Sequence, residues 1–139
     1  MIQIISGEKG KGKTKHMLDS VNQAVTKAEG SVVYIDKSSK HMYELSNKVR
    51  LINISDYPVT SYDSFIGFLC GIISQDHDLE KLYIDSFLKV SYLEGKDITE
   101  AIDLIDKISK KYGVDFVLSV SANEDTFSEA VKSYVLISL

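Results

Sequence analysis

Apolar positions along the chain switch between two periods, and the switches mark out its elements. Ile2–Ser6 is a short apolar run that predicts a buried strand. Met17, Leu18, Val21, Ala24, Val25 and Ala28 then recur at helical spacing, with Gly30 as the expected stop. Ser31–Asp36 (SVVYID) is β-branched and aromatic and predicts a strand. A short helix is expected over His41–Asn47, a strand over Val49–Ile54, and a turn at Pro58. Phe65, Ile66, Leu69, Cys70 and Ile73 form a second helical stripe, followed by a strand at Leu82–Asp85. Asp97 and Glu100 have the spacing of a capping box ahead of Ile98, Ala101, Ile102, Ile105 and Ile108. Phe116–Val120 predicts a strand, Glu124–Ser133 a short helix, and Val135–Leu139 a last strand.

Strands that alternate with helices belong to the α/β class. The expected architecture is a three-layer α/β/α sandwich with a mostly parallel sheet and right-handed crossovers. Ligands in such sheets sit at the carboxyl ends of the strands.

Composition narrows this to one domain spanning 1–139, since 139 residues are too few for two ordinary ones. A chain this long buries roughly 68% of its unfolded surface without staples. Hydrophobic residues make up 44% and charged ones 26%, the balance of a globular protein. The one cysteine, Cys70, rules out an internal disulfide and fits a reducing, cytoplasmic setting. Met1–Ser6 is too short for a secretory apolar segment. Phe65 to Ile73, the longest apolar stretch, falls far short of the roughly 20 residues that span a bilayer, so no membrane is expected. A net charge of −4 argues against a general nucleic-acid binder.

Charge becomes informative locally. Four lysines and three glycines crowd the stretch directly behind the first strand. Gly7-Glu8-Lys9-Gly10-Lys11-Gly12-Lys13-Thr14 matches G-x-x-x-x-G-K-S/T, the Walker A motif or P-loop. Glycines let the backbone curl until successive N–H groups face a phosphate. The helix beginning near Lys13 adds its positive end. Lys13 reaches β- and γ-phosphates and Thr14 offers a hydroxyl to Mg²⁺. The ligand's charge offsets lysine repulsion that is otherwise unfavourable. Lys9, Lys11 and Lys15 are open to two readings, phosphate contacts or solvated loop lysines. A carboxylate at the end of another apolar strand completes such a site. Asp85, closing LYID, and Asp36, closing VVYID, both qualify, and Asp85 is preferred because its strand is expected nearer the loop.

With those residues placed, the chain resembles the RecA-like branch of P-loop NTPases. The likeness runs through GEKGKGKT, VVYID, HMYELSN, VRLINIS, the Phe65–Ile73 helix and LYIDSF, and covers nearly the whole chain. It implies a sheet ordered, by strand starts, Val49, Ser31, Leu82, Phe116, Ile2, Val135. It also implies ATP and Mg²⁺ as cofactors, with Asp85-Ser86 as the Walker B pair. Ser119, Ser121 and Asn123 (SVSANED) occupy the region where a γ-phosphate sensor would lie, and Ser121 or Asn123 would bond that phosphate, or cap the helix from Glu124.

The departures bear on activity. Ser38 and Ser86 occupy the positions where related ATPases carry a catalytic glutamate, and Glu44 is the nearest acidic substitute. The family's DNA-binding loops are missing. Asn47-Lys48-Val49-Arg50 fails the guanine-specific N-K-x-D pattern, which leaves adenine favoured. Arg50 is the only arginine, few for the lid of a small-molecule kinase. Asp76-His77-Asp78 reads as a solvated loop rather than a metal site. Gly67 and Gly71 read as close-packing positions in the core, with a partner interface second. The expected function is nucleoside-triphosphate binding with ATPase activity that is weak or depends on self-assembly or a protein partner. The alternatives are a catalytically silent module in which triphosphate orders Ser38–Asn47 or Asp56–Ser64, and a small-molecule kinase.

Overall fold

A computed structural model describes residues 1–139. Its strands are β1 (Ile2–Ser6), β2 (Ser31–Asp36), β3 (Arg50–Asn53), β4 (Leu79–Ile84), β5 (Asp115–Val120) and β6 (Val135–Ser138). They form one six-stranded sheet in the order β3-β2-β4-β5-β1-β6, and every pairing is parallel. That order matches the one implied by the resemblance, and the sheet is wholly rather than mostly parallel. The helices are α1 (Lys13–Lys27), α2 (Tyr62–Gln75), α3 (Phe87–Val90), α4 (Thr99–Tyr112) and α5 (Glu129–Lys132).

Strand alternation divides the core in two. Ile4, Val33, Ile35, Leu82, Ile84, Phe116, Leu118 and Val120 point to the face covered by α2, α3, α4 and α5. Ile5, Val32, Tyr34, Tyr83 and Val117 point to the opposite face, which packs on Met17, Leu18, Val21 and Val25 of α1. A parallel sheet buried on both sides explains why its strands read as continuous apolar runs. Burying a side chain of this size is worth about 1.5–3 kcal/mol, so the two clusters dominate stability.

Several local expectations change. Helix α1 ends at Lys27 with Ala28 extended, before Gly30 is reached. Gly30 instead lets two strand starts converge, since a Cβ there would lie 1.9 Å from the Asp78 carbonyl oxygen, which accepts the Ser31 amide. The His41–Asn47 helix shrinks to one 3₁₀ turn, Met42–Glu44. The Asp97–Glu100 capping box does not form. Asp97 accepts from the Thr99 amide and hydroxyl at 2.9 and 2.6 Å, which uses its carboxylate locally, and Ile98 is the N-cap residue. A capping box forms unheralded on α2, between Ser61 and Ser64. The Glu124–Ser133 helix breaks into a 3₁₀ turn, Glu124–Thr126, and α5, because Asn123 and Ser128 each cap their own short segment. Gly67 and Gly71 face open space, not the core. The buried face of α2 is Phe65, Leu69 and Ile73, which turns both glycines outward. No helix is long and apolar enough to cross a membrane.

Candidate functional site

The carboxyl ends of β1, β2, β4 and β5 lie along one edge of the sheet, and the glycine-lysine loop connects β1 to α1 at that edge. Gly10 and Gly12 adopt φ of 83° and 87°, the left-handed region that glycine enters at little cost. Gly12 is also the N-cap residue of α1, and no side chain caps it. No acidic residue occupies the first turn, so the helix start presents bare amides to the cavity. Gly7 is buried and does structural work: its amide is shared between the Val120 and Ala122 carbonyls, at 3.3 and 3.1 Å.

Lys13 folds back over this loop, and its Nζ donates to the Glu8 carbonyl at 3.1 Å. Burial lowers the pKa of the Lys13 ammonium, and the charge of Asp85 partly restores it. Thr14 stands one residue on. Its hydroxyl donates to Asp85 Oδ2 at 3.1 Å across 71 positions of sequence.

Asp85 follows β4 directly, and its amide extends the ladder by donating to the Ile35 carbonyl at 2.9 Å. Its carboxylate is buried and accepts four hydrogen bonds. Oδ1 takes the Ser86 amide at 2.9 Å and the Ser119 hydroxyl at 2.5 Å. Oδ2 takes Thr14 and the Tyr34 hydroxyl, the latter at 2.8 Å. Burial, and then the neighbouring charge of Asp85, push the Tyr34 phenol pKa far upward, so Tyr34 keeps its proton and can only donate here. Ser86 sits in the left-handed region at φ 55°, a conformation that costs energy for a residue with a Cβ and that collects at functional sites.

Asp36, the rival carboxylate, ends β2 beside Asp85 but is placed differently. Its Oδ1 accepts the Lys37 amide at 2.7 Å, and its Oδ2 is buried without a partner. Burial raises its pKa, with the charge of Asp85 as the next cause. It does not line the cavity.

That cavity has a volume of about 440 Å³, within the range of small-molecule sites. Lys9, Gly10, Gly12, Lys13 and Thr14 line it from the loop, and Asp85, Ser119 and Ser121 from the strand ends. Gly7, Glu8 and Lys11 belong to the loop without lining the cavity. Asn123 is elsewhere: its side-chain oxygen accepts the Asp125 amide at 2.9 Å and caps the turn after β5. Lys37, Lys89 and Glu94 also line the cavity, and sequence reasoning passed over all three. No spacing rule links them to the loop. A register for β2 and β4 would have brought Lys37 and the Ser86–Gly95 segment to the same edge. Ser119 fell within the predicted sensor region, but its hold on Asp85 did not show in sequence.

Four lysines and two carboxylates therefore face one cavity, in a chain whose net charge is −4. Such a surface attracts a compact polyanion. Thr14 and Asp85 together offer only oxygen donors, the ligand type that Mg²⁺ prefers. No group of three or more His, Cys, Asp or Glu converges anywhere in the chain, Asp76-His77-Asp78 included. A divalent ion here would take most of its ligands from water and from the anion. No family model matches the chain, and no curated protein matches it.

Proposed function

We propose that this protein binds a nucleoside triphosphate, ATP in preference to GTP, together with Mg²⁺, with Gly7–Thr14 acting as a P-loop of the RecA-like kind. The reading is carried by the Thr14–Asp85 contact, 3.1 Å between a loop hydroxyl and a strand-end carboxylate in a lysine-lined cavity. The oxygen donor set of those two residues fits Mg²⁺. Held by Thr14 and Asp85, the ion would supply positive charge to offset that of the phosphates.

The chain's own groups do the rest. Amides of the Gly10–Thr14 turn and the start of α1 orient the phosphates. Lys13 exchanges the Glu8 carbonyl for phosphate oxygens, a stronger, charge-assisted bond. Tyr34, Ser119 and Ser86 hold the Asp85 carboxylate in place beforehand. Ser121 lines the cavity, and on this reading it would donate to the terminal phosphate. Hydrolysis would be in-line attack by water on the γ-phosphate. It is expected to be slow in the isolated chain, because serine stands at both positions where a base is expected and Asp36 does not line the cavity.

One observation favours the gated-module reading beside the ATPase. His41 and Glu44 share a second depression with Thr14, and Asn22 of α1 ties the same segment through the Glu44 carbonyl and the Ser46 amide, both at 2.8 Å. The segment carries Met42 and Tyr43 into solvent, Tyr43 with 91% of its surface exposed. A change at Thr14 on nucleotide binding would reach that apolar tip. Turnover per chain that rises with protein concentration supports assembly-dependent hydrolysis. Flat, negligible turnover with tight binding supports the module, and label transfer to an added acceptor supports a kinase.

The binding test is calorimetry of ATP, GTP and their diphosphates with and without Mg²⁺, on wild type and on Lys13→Ala. Mg²⁺-dependent ATP binding that weakens at least tenfold in the variant is expected. Equal affinity in the two proteins would overturn the assignment.

A further inference from the structure

The cavity has a second cationic wall opposite the loop. Lys37 follows β2 and Lys89 lies on α3, beyond β4, and both side chains line the cavity with Lys9 and Lys13. Neither is within ion-pairing distance of a carboxylate, so both ammonium groups are free to meet an anion in the cavity. The two are anchored alike. Lys37 comes directly after a buried aspartate that closes β2, Lys89 four residues after one that follows β4, and each aspartate binds the next backbone amide. Asp36 Oδ1 holds the Lys37 amide at 2.7 Å, and Asp85 Oδ1 holds the Ser86 amide at 2.9 Å at the start of the Lys89 segment.

The Lys89 segment is further fixed by its neighbours. Phe87 and Val90 are buried, and Phe87 meets Phe65 edge-on at 6.1 Å. Tyr92, at φ 62°, donates its hydroxyl to the Val59 carbonyl at 2.8 Å. A short helix pinned on its inner side holds its outward lysine toward the cavity at little entropic cost on binding.

We propose that Lys37 and Lys89 clamp the terminal phosphate of the bound nucleotide from within the same chain, and so make the site select triphosphate over diphosphate. The inference rests on the nucleotide reading above. Its geometry comes from the sheet order. The loop leaves β1, and Asp85, Lys37 and Lys89 leave β4 and β2, on the far side of β5. Lys13 and the metal position at Thr14 and Asp85 belong to the β- and γ-phosphates. The chain of phosphates therefore ends toward β4 and β2, where the two lysines stand. A diphosphate stops one group short of them. Preorganised cations aimed at that group would also stabilise charge that develops on it. Glu94 lines the same cavity and opposes the clamp electrostatically, as Asp85 does until it shares the metal.

The test is calorimetry with Mg²⁺ and either the non-hydrolysable β,γ-imido analogue of ATP or ADP, on wild type, Lys37→Ala, Lys89→Ala, the double variant and Lys89→Arg. Both lysines are exposed, so the variants should fold, and far-UV circular dichroism checks this. Each single alanine is expected to weaken the triphosphate analogue about tenfold, which corresponds to about 1.4 kcal/mol. The double variant should lose about a hundredfold, while ADP changes less than about threefold throughout, and Lys89→Arg keeps most of the preference. Equal weakening of both nucleotides, or no weakening of either, overturns the clamp and leaves the P-loop reading intact. Wild type that binds neither nucleotide removes the P-loop reading itself.

Discussion

Replacing Tyr34 by phenylalanine removes one oxygen and almost nothing else. The ring is fully buried and stacks on Tyr83 at 6.1 Å with planes 17° apart, contacts that phenylalanine keeps. What is lost is the 2.8 Å hydrogen bond to Asp85 Oδ2. Its direction is fixed, because burial and the Asp85 charge hold the phenol protonated. A buried bond to a charged acceptor contributes about 1.5–3 kcal/mol. Asp85 keeps Thr14, Ser119 and Ser86, so the loss should fall near the middle of that range, about 2 kcal/mol. For a domain of this size that lowers Tm by roughly 8 °C. Tyr83→Phe is the internal control. Its hydroxyl pairs with the neutral Ser20 at 2.9 Å, so about 1 kcal/mol is expected there. Urea unfolding followed by far-UV circular dichroism measures both, with unchanged slopes as the sign that the unfolded state is comparable. A Tyr34→Phe cost below about 0.5 kcal/mol, or one smaller than that of Tyr83→Phe, would refute the idea that Asp85 is held by a dedicated donor.

Two further substitutions test the fold around the site. Gly30→Ala places a Cβ 1.9 Å from the Asp78 carbonyl oxygen, a backbone atom that must move together with the Ser31 pairing. A loss of about 3 kcal/mol in chemical denaturation is expected, against about 1–2 kcal/mol for Gly10→Ala, which faces open space and suffers only from its φ of 83°. Asp36→Asn tests a pH dependence whose sign follows from burial. The native pKa is raised above the unfolded value of about 3.9, so the native state holds the proton longer. The resulting stability is fully present below the unfolded pKa and is lost as pH rises through the native one. Asparagine cannot ionise, so the variant should be more stable than wild type at pH 7 and should lose that advantage at pH 3, in paired urea melts. An advantage that is the same at both pH values would mean that Asp36 does not carry a buried charge.

Contiguity separates what the sequence disclosed from what it did not. The loop is eight consecutive residues, so its pattern could be read before any fold was known. The strands also announced themselves, because a parallel sheet buried on both faces needs unbroken apolar runs such as SVVYID. Asp85 required one more step, an assumed strand order that brings β4 near β1. Lys37, Lys89 and Glu94 required an actual register, since each looks like an ordinary surface charge in its own segment. Capping was the least legible feature. Asp97 had the right spacing to Glu100, but Thr99 lay closer and took its carboxylate, while Ser61 and Ser64 formed the box. Gly67 and Gly71 misled for a related reason: their spacing suits close packing, and only the phase of α2 shows that they face outward. Asn123 had equal grounds for two roles, and the backbone amide two residues on holds it in one of them.

The same cavity also reveals what nucleotide-free folding tolerates. Lys9, Lys13, Lys37 and Lys89 converge, Lys13 largely buried, and the one carboxylate among them that is tied into the core is already saturated by four donors. Hydrogen bonds satisfy Asp85, but no donor set on this chain neutralises the lysines, because donors cannot accept. Two carboxylates, Asp85 and Glu94, stand among the four lysines, which leaves the lining with an excess of positive charge. On the nucleotide reading proposed above, a bound anion offsets that excess, and its shape is constrained. It must be slim enough to enter the glycine turn and long enough to reach from β1 to β2 across two intervening strands. Neighbouring strands lie about 4.8 Å apart, so that distance is of the order of 15 Å at the backbone, shortened at both ends by long lysine side chains. A single phosphate satisfies the turn and leaves Lys37 and Lys89 unmet. A linear polyphosphate would meet both walls at once, so the second wall, more than the loop alone, bears on the length of the anion we propose.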